Sequence, residues 1–286
     1  IDFTDSFDWS SLSAESDATN HKSFFHYPGG YSAIPGASGA NFTLYIPKGN
    51  TYKVRICPDA SSLAGVIQNC SNQYYLEETD ADVTVATEDS VEYWKISGLT
   101  GSGGEGVYPS LNFTLEGVGS NTLTNGITTN VATTANEVDF GYMLTGSPKY
   151  AAQKLTVSTN AIDGYTVYAK FTNYMQGNYP GNQISEYSYN SASWSNPQVW
   201  TSPEGTIPNV NTGWVGANTS DTRVANWSSA SGKFGPFNTN TRTVMFSDAS
   251  DESGTSAYVT YAIEVNSRQP TDTYIGTIIY TVTPIY

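Results

Sequence analysis

The first ten residues, IDFTDSFDWS, alternate between apolar and polar side chains. Ile1, Phe3, Phe7 and Trp9 occupy odd positions, and the even positions are polar. This period of two predicts a β-strand with one apolar face. Asp5 interrupts that face, so we expect it at a gap, at a bulge or near a partner cation. The residues that follow offer no obvious hairpin partner.

The same alternation recurs along the chain and predicts an all-β fold. NFTLYIPK and TYKVRICP read as a hairpin, and further alternating runs follow at short intervals to the C-terminus. No long window keeps apolar residues at helical spacing. The best exception is SSLAGVI, residues 61–67, which could form one or two helical turns.

Turn signals between these runs predict two β-sandwich domains, Ig-like or jelly-roll-like, preceded by an extended N-terminal strand. Glycines in residues 101–106 predict a flexible loop, and the alternation breaks over a loop-rich insertion near residues 175–237. The expected boundary lies near residues 117–124. The predicted organisation is an N-terminal extension at 1–25, a first sandwich at 26–120 and a second at 121–286.

Charge excludes some partners. The chain has 12 Lys and Arg against 26 Asp and Glu, a formal net charge of -14. Such a surface repels phosphate backbones and anionic lipid, so neither nucleic acid nor a membrane surface is an expected partner. No run of about 18 apolar residues is present, so no membrane span is expected.

The chain starts at Ile1 rather than Met, which we interpret as a mature, exported chain after leader removal. In an exported protein, Cys57 and Cys70 predict a disulfide, with two buried free thiols as the alternative. Closing this loop would stabilise the fold by roughly 3 kcal/mol. The two histidines, His21 and His26, have the wrong spacing for a zinc site with these cysteines.

Export also makes N-glycosylation a hypothesis. A chain rich in Asn, Ser and Thr produces such sequons by chance, so each site is weak on its own. The five candidate positions are Asn41, Asn69, Asn112, Asn218 and Asn226.

Acidic side chains cluster in two turn regions, EETDAD and SDASDESG. The plain interpretation is solvated loops, and no cofactor is required. Calcium is a weaker hypothesis, because these loops offer carboxylate oxygens without EF-hand spacing. Its candidate ligands are Glu77, Glu78, Asp80, Asp82, Asp248, Asp251 and Glu252.

Four tryptophans, Trp194, Trp200, Trp214 and Trp227, fall in the loop-rich insertion. Flat aromatic faces can stack on sugars, but the spacing of these residues is irregular. Packing of the insertion is therefore the favoured interpretation. No catalytic motif or Ser-His-Asp arrangement is evident, so we expect no enzyme activity.

The ending AYVTYAIEVNSRQPTDTYIGTIIYTVTPIY, with NEVDFGYM and KLTVSTNAIDGYTVYAKF upstream, resembles C-terminal modules of exported bacterial cell-surface proteins. Similar modules are the WxL-type surface domains and related β-sandwich proteins of candidate-phylum bacteria. The resemblance covers about residues 130–286. It implies a surface location and a structural or adhesive role. The Trp-x-Leu motif is absent, so direct attachment to peptidoglycan is not implied.

These features combine into one hypothesis. The N-terminal strand leaves its own subunit and completes a sheet in the next, by analogy with strand donation in pilins. Head-to-tail contacts of this kind do not close, so they build an extracellular filament or surface layer from identical subunits. The alternative is a monomeric surface adhesin or carbohydrate-binding module whose partners are glycans or other cell surfaces.

Overall fold

The computed structural model describes residues 9–27, 42–99 and 103–286. The all-β prediction is confirmed, with 48% of residues in strands and 3% in helices. The chain divides into two compact units, Ile1–Pro109 and Ser110–Tyr286. The division precedes the expected region of 117–124, because the strand at Leu111–Gly117 pairs with a strand of the second unit.

Unit 1 contributes eight strands among the described residues, arranged in two sheets. One sheet has the order β1-β2-β8-β4-β5 and the other the order β3-β7-β6. The strands are β1 Ser13–Asp17, β2 Lys22–His26, β3 Phe42–Pro47, β4 Lys53–Cys57, β5 Tyr74–Leu76, β6 Val83–Glu88, β7 Val91–Leu99 and β8 Gly103–Val107.

The core of unit 1 lies between these two sheets. Ile46 on β3 and Trp94 on β7 pack against Val54 and Ile56 on β4, and all four are buried. The indole N–H of Trp94 donates to the Thr51 hydroxyl at 2.8 Å, so the buried ring keeps a polar partner.

The glycine-rich β8 corrects the expectation of a flexible loop at residues 101–106, of which 101 and 102 lie outside the described residues. β8 pairs with both β2 and β4 inside the sheet. A Cβ on Gly104 would lie 2.4 Å from Cδ1 of Ile46, so the strand needs glycine where the sheets approach closely.

The β1–β2 hairpin corrects the expectation that residues 1–25 form an extension without a hairpin partner. β1 pairs antiparallel with β2, from Ser13 opposite His26 to Asp17 opposite Lys22. β2 in turn pairs with β8, and Phe24 is buried. Residues from Ser13 onward therefore belong to a sheet of unit 1.

The disulfide is confirmed: Cys57 and Cys70 are bonded, with 5.8 Å between their Cα atoms. The loop that it closes contains a 3₁₀ turn at Leu63–Gly65, within the stretch expected to be helical. Val66 of this loop is buried against Phe24 of β2. The disulfide thus holds the loop onto the sheet.

Unit 2 contributes twelve strands. The long sheet follows the order β19-β12-β13-β15-β18-β10-β9, with β16 beside β15 and β14 beside β16. The second sheet is β17-β11-β20. The strands are β9 Leu111–Gly117, β10 Lys149–Thr159, β11 Tyr165–Phe171, β12 Met175–Gly177, β13 Gln183–Glu186, β14 Gln198–Val199, β15 Gly213–Thr219, β16 Lys233–Pro236, β17 Arg242–Ser247, β18 Asp251–Val265, β19 Tyr274–Ile275 and β20 Ile278–Pro284.

One core fills the space between the two sheets of unit 2. Leu155 on β10 and Val259 on β18 come from the long sheet, while Val167 on β11 and Val244 on β17 come from the short one. The insertion expected at 175–237 is part of this architecture. It supplies β15, whose seven residues are all buried and which pairs with β18 along its length.

Candidate functional site

An open groove of unit 2 lies between two edge strands. β9 ends the long sheet and β20 ends the short one. Their core-facing side chains pack against the central cluster but remain only partly buried; they are Phe113, Leu115, Ile278, Tyr280 and Val282. The rings of Phe113 and Tyr280 approach to 6.4 Å across the groove. The two sheets therefore leave one side of their shared core incompletely covered.

A cavity of about 570 Å³ lies along this groove. Apolar side chains of β9 and β20 line it together with Val138 and Phe140, from the irregular segment before β10. The amino group of Lys149 donates to the Phe140 carbonyl and holds this segment in place. The resulting concave surface combines apolar side chains with polar groups, among them Glu137 and Gln153, and lies beside a strand edge.

The floor of the groove is a closed polar network. The hydroxyls of Tyr261 and Tyr280 hydrogen-bond to each other, and Tyr280 donates to Oε1 of Gln153 at 3.1 Å. The Gln153 amide donates to the carbonyls of Thr134 and Ala135, each at 3.0 Å. Burial raises the pKa of both tyrosines. These groups satisfy one another, so the floor demands no polar ligand.

The outer edge of β20 carries backbone groups with no neighbouring strand. The Thr172 N–H donates to the Thr277 carbonyl and the Ile285 N–H donates to the Gly164 carbonyl, each at 2.9 Å. These bonds show that the backbone groups of the odd-numbered residues of β20 face β11. Antiparallel pairing alternates, so the N–H and C=O groups of Ile278, Tyr280 and Val282 point away from β11. Within the described residues, β11 is the only strand beside β20.

The opposite edge of the same sheet is covered. The carboxylate of Asp221 accepts from the Phe246 N–H of β17 at 2.9 Å. The Trp194 indole donates to the Thr243 carbonyl at 3.1 Å, and the Thr219 hydroxyl donates to Val244. Side chains thus occupy the β17 edge, whereas the described residues provide no comparable bonds at the β20 edge.

No local pattern in the sequence distinguishes the groove residues from other strand residues. Period-two alternation predicted strands at β9 and β20. It gave no signal for their position at sheet edges, which depends on the order of strands in space.

Most of the predicted donor strand falls outside the described residues. Ile1, Phe3, Asp5 and Phe7 lie there, as does the side chain of Trp9. The backbone of Trp9–Ser11 forms a 3₁₀ turn rather than an extended strand. An extended donor segment would therefore end before Trp9.

The candidate calcium ligands do not converge. Among the described residues, no group of three or more His, Cys, Asp or Glu side chains is placed to hold a metal ion. Asp80 instead accepts from the Glu77 N–H at 2.7 Å, and Asp251 accepts from the Gly254 N–H at 2.9 Å. These carboxylates close turns of the chain.

The sequons differ in accessibility. Asn218 is fully buried, and its amide donates to the Lys233 carbonyl at 2.6 Å, so this candidate is wrong as an acceptor for glycan. Asn41 lies outside the described residues. The exposed candidates are Asn69, Asn112 and Asn226.

The tryptophans of unit 2 pack in the structure, as favoured from the sequence. Trp214 and Trp227 are buried. Trp200 stacks on Tyr187, with 4.7 Å between ring centroids, and donates to the buried Glu264 at 2.8 Å. Trp194 is half-buried beside a second cavity.

Within the described ranges, no helix has the length and apolar character needed to cross a membrane. Comparison of the chain with protein-family models, with curated proteins and with solved structures gave no match.

Proposed function

We propose that this protein is a structural, non-enzymatic subunit of an extracellular filament or surface layer. The N-terminal segment of one copy adds as a strand to β20 of the next copy and fills the groove beside β9. The observation that carries the proposal is the β20 edge, where outward-pointing backbone groups lie beside a groove with partly uncovered apolar side chains.

The alternating stretch at residues 1–8 is long enough for this edge. It lies directly before the 3₁₀ turn at Trp9–Ser11, and β20 spans the seven residues Ile278–Pro284. At about 3.3 Å per residue, these segments extend to roughly 26 and 23 Å. One added strand can therefore pair with the whole of β20.

The pattern of side chains also suits the groove. A strand placed beside β20 turns alternate side chains toward the uncovered core, so Ile1, Phe3 and Phe7 would enter together. Each apolar side chain contributes roughly 1.5–3 kcal/mol when fully buried. Asp5 shares their face and opposes insertion, since an unpaired charge in an apolar groove is costly.

A second copy is the proposed donor. The N-terminal segment is joined to β1 of unit 1, whereas the accepting edge belongs to unit 2. Donation from one molecule to the next is therefore head-to-tail and continues into a chain of subunits. The Cys57–Cys70 disulfide supports an oxidising compartment, as expected for an exported protein.

Removal of residues 1–8 tests the proposal, because it leaves Trp9–Ser11 and β1 in place. Light scattering after size-exclusion chromatography should show concentration-dependent oligomers for the full chain and monomers for the truncated chain. A synthetic peptide of sequence IDFTDSFDWS should then bind the truncated chain at a ratio of one to one. A peptide with Phe3→Asp and Phe7→Asp should not bind.

A pair of groove variants locates the binding site. Leu115→Asp places a charge in the groove and should abolish peptide binding by the truncated chain. Thr114→Asp places the same charge on the exposed face of β9 and should leave binding intact. A strictly monomeric full chain refutes the filament, and peptide binding to the truncated chain would then indicate insertion within one molecule. Equal binding by both variants refutes the groove.

A further inference from the structure

A second cavity, of about 540 Å³, lies beside β17 in unit 2. Its lining combines apolar side chains, such as Val224 and Phe246, with the Trp194 indole, two guanidinium groups and small polar side chains; these last are Arg223, Arg242, Asn226 and Ser195. Only 12 of the 286 residues are Lys or Arg. Two arginines at one cavity are therefore a local exception in an acidic protein.

The indole of Trp194 is held in a fixed position at this cavity. Its N–H donates to the Thr243 carbonyl at 3.1 Å, and its ring packs against buried Trp227 with 4.6 Å between centroids. The indole is thus fixed before any ligand arrives, with the guanidinium carbon of Arg242 6.0 Å from the ring centroid. Such a flat aromatic ring suits the apolar face of a ring-shaped ligand.

Arg242 has unused capacity to bind an anion. It is half-buried, forms no ion pair with any described residue, and its buried Nε has no hydrogen-bond partner there. Among the described residues, its guanidinium donates one hydrogen bond, a long contact of 3.3 Å from Nη2 to Oδ1 of Asn238. Burial lowers the pKa of Arg242, opposed by the negative charge of Glu186. A bound carboxylate would compensate this partly desolvated charge.

Arg223, the other arginine at the cavity, already forms an ion pair with Asp221. Its Nε and Nη2 donate to the two carboxylate oxygens of Asp221 at 3.0 and 3.1 Å. Asp221 is buried and also accepts a hydrogen bond from the Phe246 N–H, so the Arg223 guanidinium has a fixed orientation. Because Asp221 offsets the charge of Arg223, the excess positive charge at the cavity rests on Arg242.

We propose that this cavity binds a carboxylate-bearing sugar. The carboxylate pairs with Arg242, the ring lies against Trp194, and ring hydroxyls reach Asn226 and Ser195. The volume lies within the roughly 300–1,000 Å³ usual for small-ligand sites. One unpaired guanidinium, with Asp221 and Glu186 nearby, favours a monoanion over a doubly charged phosphate. This inference is independent of the strand-accepting groove.

The test is titration of the full chain, free of N-glycan at Asn226, with D-glucuronate, D-glucose and acetate. The readout is the NMR shift of the Trp194 indole N–H, assigned with Trp194→Phe. Glucuronate should bind at least about tenfold more tightly than glucose, since a charge-assisted bond is lost with the neutral sugar. Acetate, which lacks a ring, should also bind at least about tenfold more weakly.

Arg242→Gln should weaken glucuronate binding by about tenfold or more. Arg268→Gln removes an exposed arginine elsewhere in unit 2 and should leave binding unchanged, and melting temperatures should show that both variants fold. Equal affinity for glucuronate and glucose overturns the carboxylate assignment. If acetate binds as tightly as glucuronate, the cavity is a simple anion site and the assignment of a sugar ligand is wrong. Unchanged binding by Arg242→Gln, or no binding at millimolar glucuronate, overturns the site itself.

Discussion

Gly104→Ala tests whether the glycine-rich segment before Val107 is a packed strand or a loop. The added methyl would lie 2.4 Å from Cδ1 of Ile46 and 3.0 Å from Cδ1 of Ile56. Both distances are shorter than ordinary van der Waals contact, so the isoleucine side chains must move within a filled core. Overpacking of this kind typically costs about 1–3 kcal/mol.

An opposing effect acts through the unfolded chain. Replacing glycine by alanine restricts that chain and stabilises the fold by about 0.4–1 kcal/mol where no clash occurs. The expected net loss in the free energy of unfolding is therefore about 1–2 kcal/mol. Ile46→Val removes Cδ1 and alone should cost about 0.5–1.5 kcal/mol. The double variant should lose less than the sum, because the shorter side chain makes room for the methyl.

Native-state hydrogen exchange of the Ile56 amide reports on this sheet separately from unit 2. Gly65→Ala is the control in the same unit, since the nearest atoms to its added Cβ lie at 3.7 Å. We expect Gly104→Ala to lower protection and Gly65→Ala to leave it unchanged or raised. Unchanged or raised protection in Gly104→Ala, or additive losses in the double variant, would refute the close packing of β8.

Three further predictions concern stability and modification. Replacing Cys57 and Cys70 by alanine should lower the free energy of unfolding by roughly 3 kcal/mol, measured in urea, and a reductant should change the melting of the native chain but not of the variant. In a host that attaches N-glycans, peptide mass mapping should find Asn218 unmodified, and glycan at Asn218 would contradict its burial. Burial raises the pKa of Tyr187 to about 12. Its stabilising contribution is therefore present below pH 10 and lost as the pH rises toward 12. Tyr187→Phe should flatten the fall in melting temperature over this range, whereas the same change at exposed Tyr142 should not.

The sequence alone predicted many of the strands and the single disulfide. Alternation is a local property, since successive side chains on a strand point to opposite faces, and it identified β10, β11 and β20 before any partner was known. With just two cysteines in the chain, one intramolecular disulfide was possible. The strands follow from residues close to one another in the sequence, and the disulfide follows from the number of cysteines.

The order of strands within sheets required the tertiary structure. A period of two indicates which face is apolar, but it does not indicate what lies beside the strand. The glycines of β8 therefore predict a loop. In the structure they form a strand, because Ile46 and Ile56 leave no room for a side chain at Gly104. Asn218 likewise fits the sequon pattern, and its burial within β15 is evident only in the folded chain.

The same limit applies to the candidate sites. Ile278 and Val282 read as ordinary strand residues, and only their place at the end of a sheet makes them part of an accepting edge. Arg242 and Trp194 are separated in sequence, and the fold alone brings the guanidinium carbon to 6.0 Å from the indole ring. Local pattern thus predicted many of the strands, whereas contacts between distant segments decided which surfaces remain open to a partner.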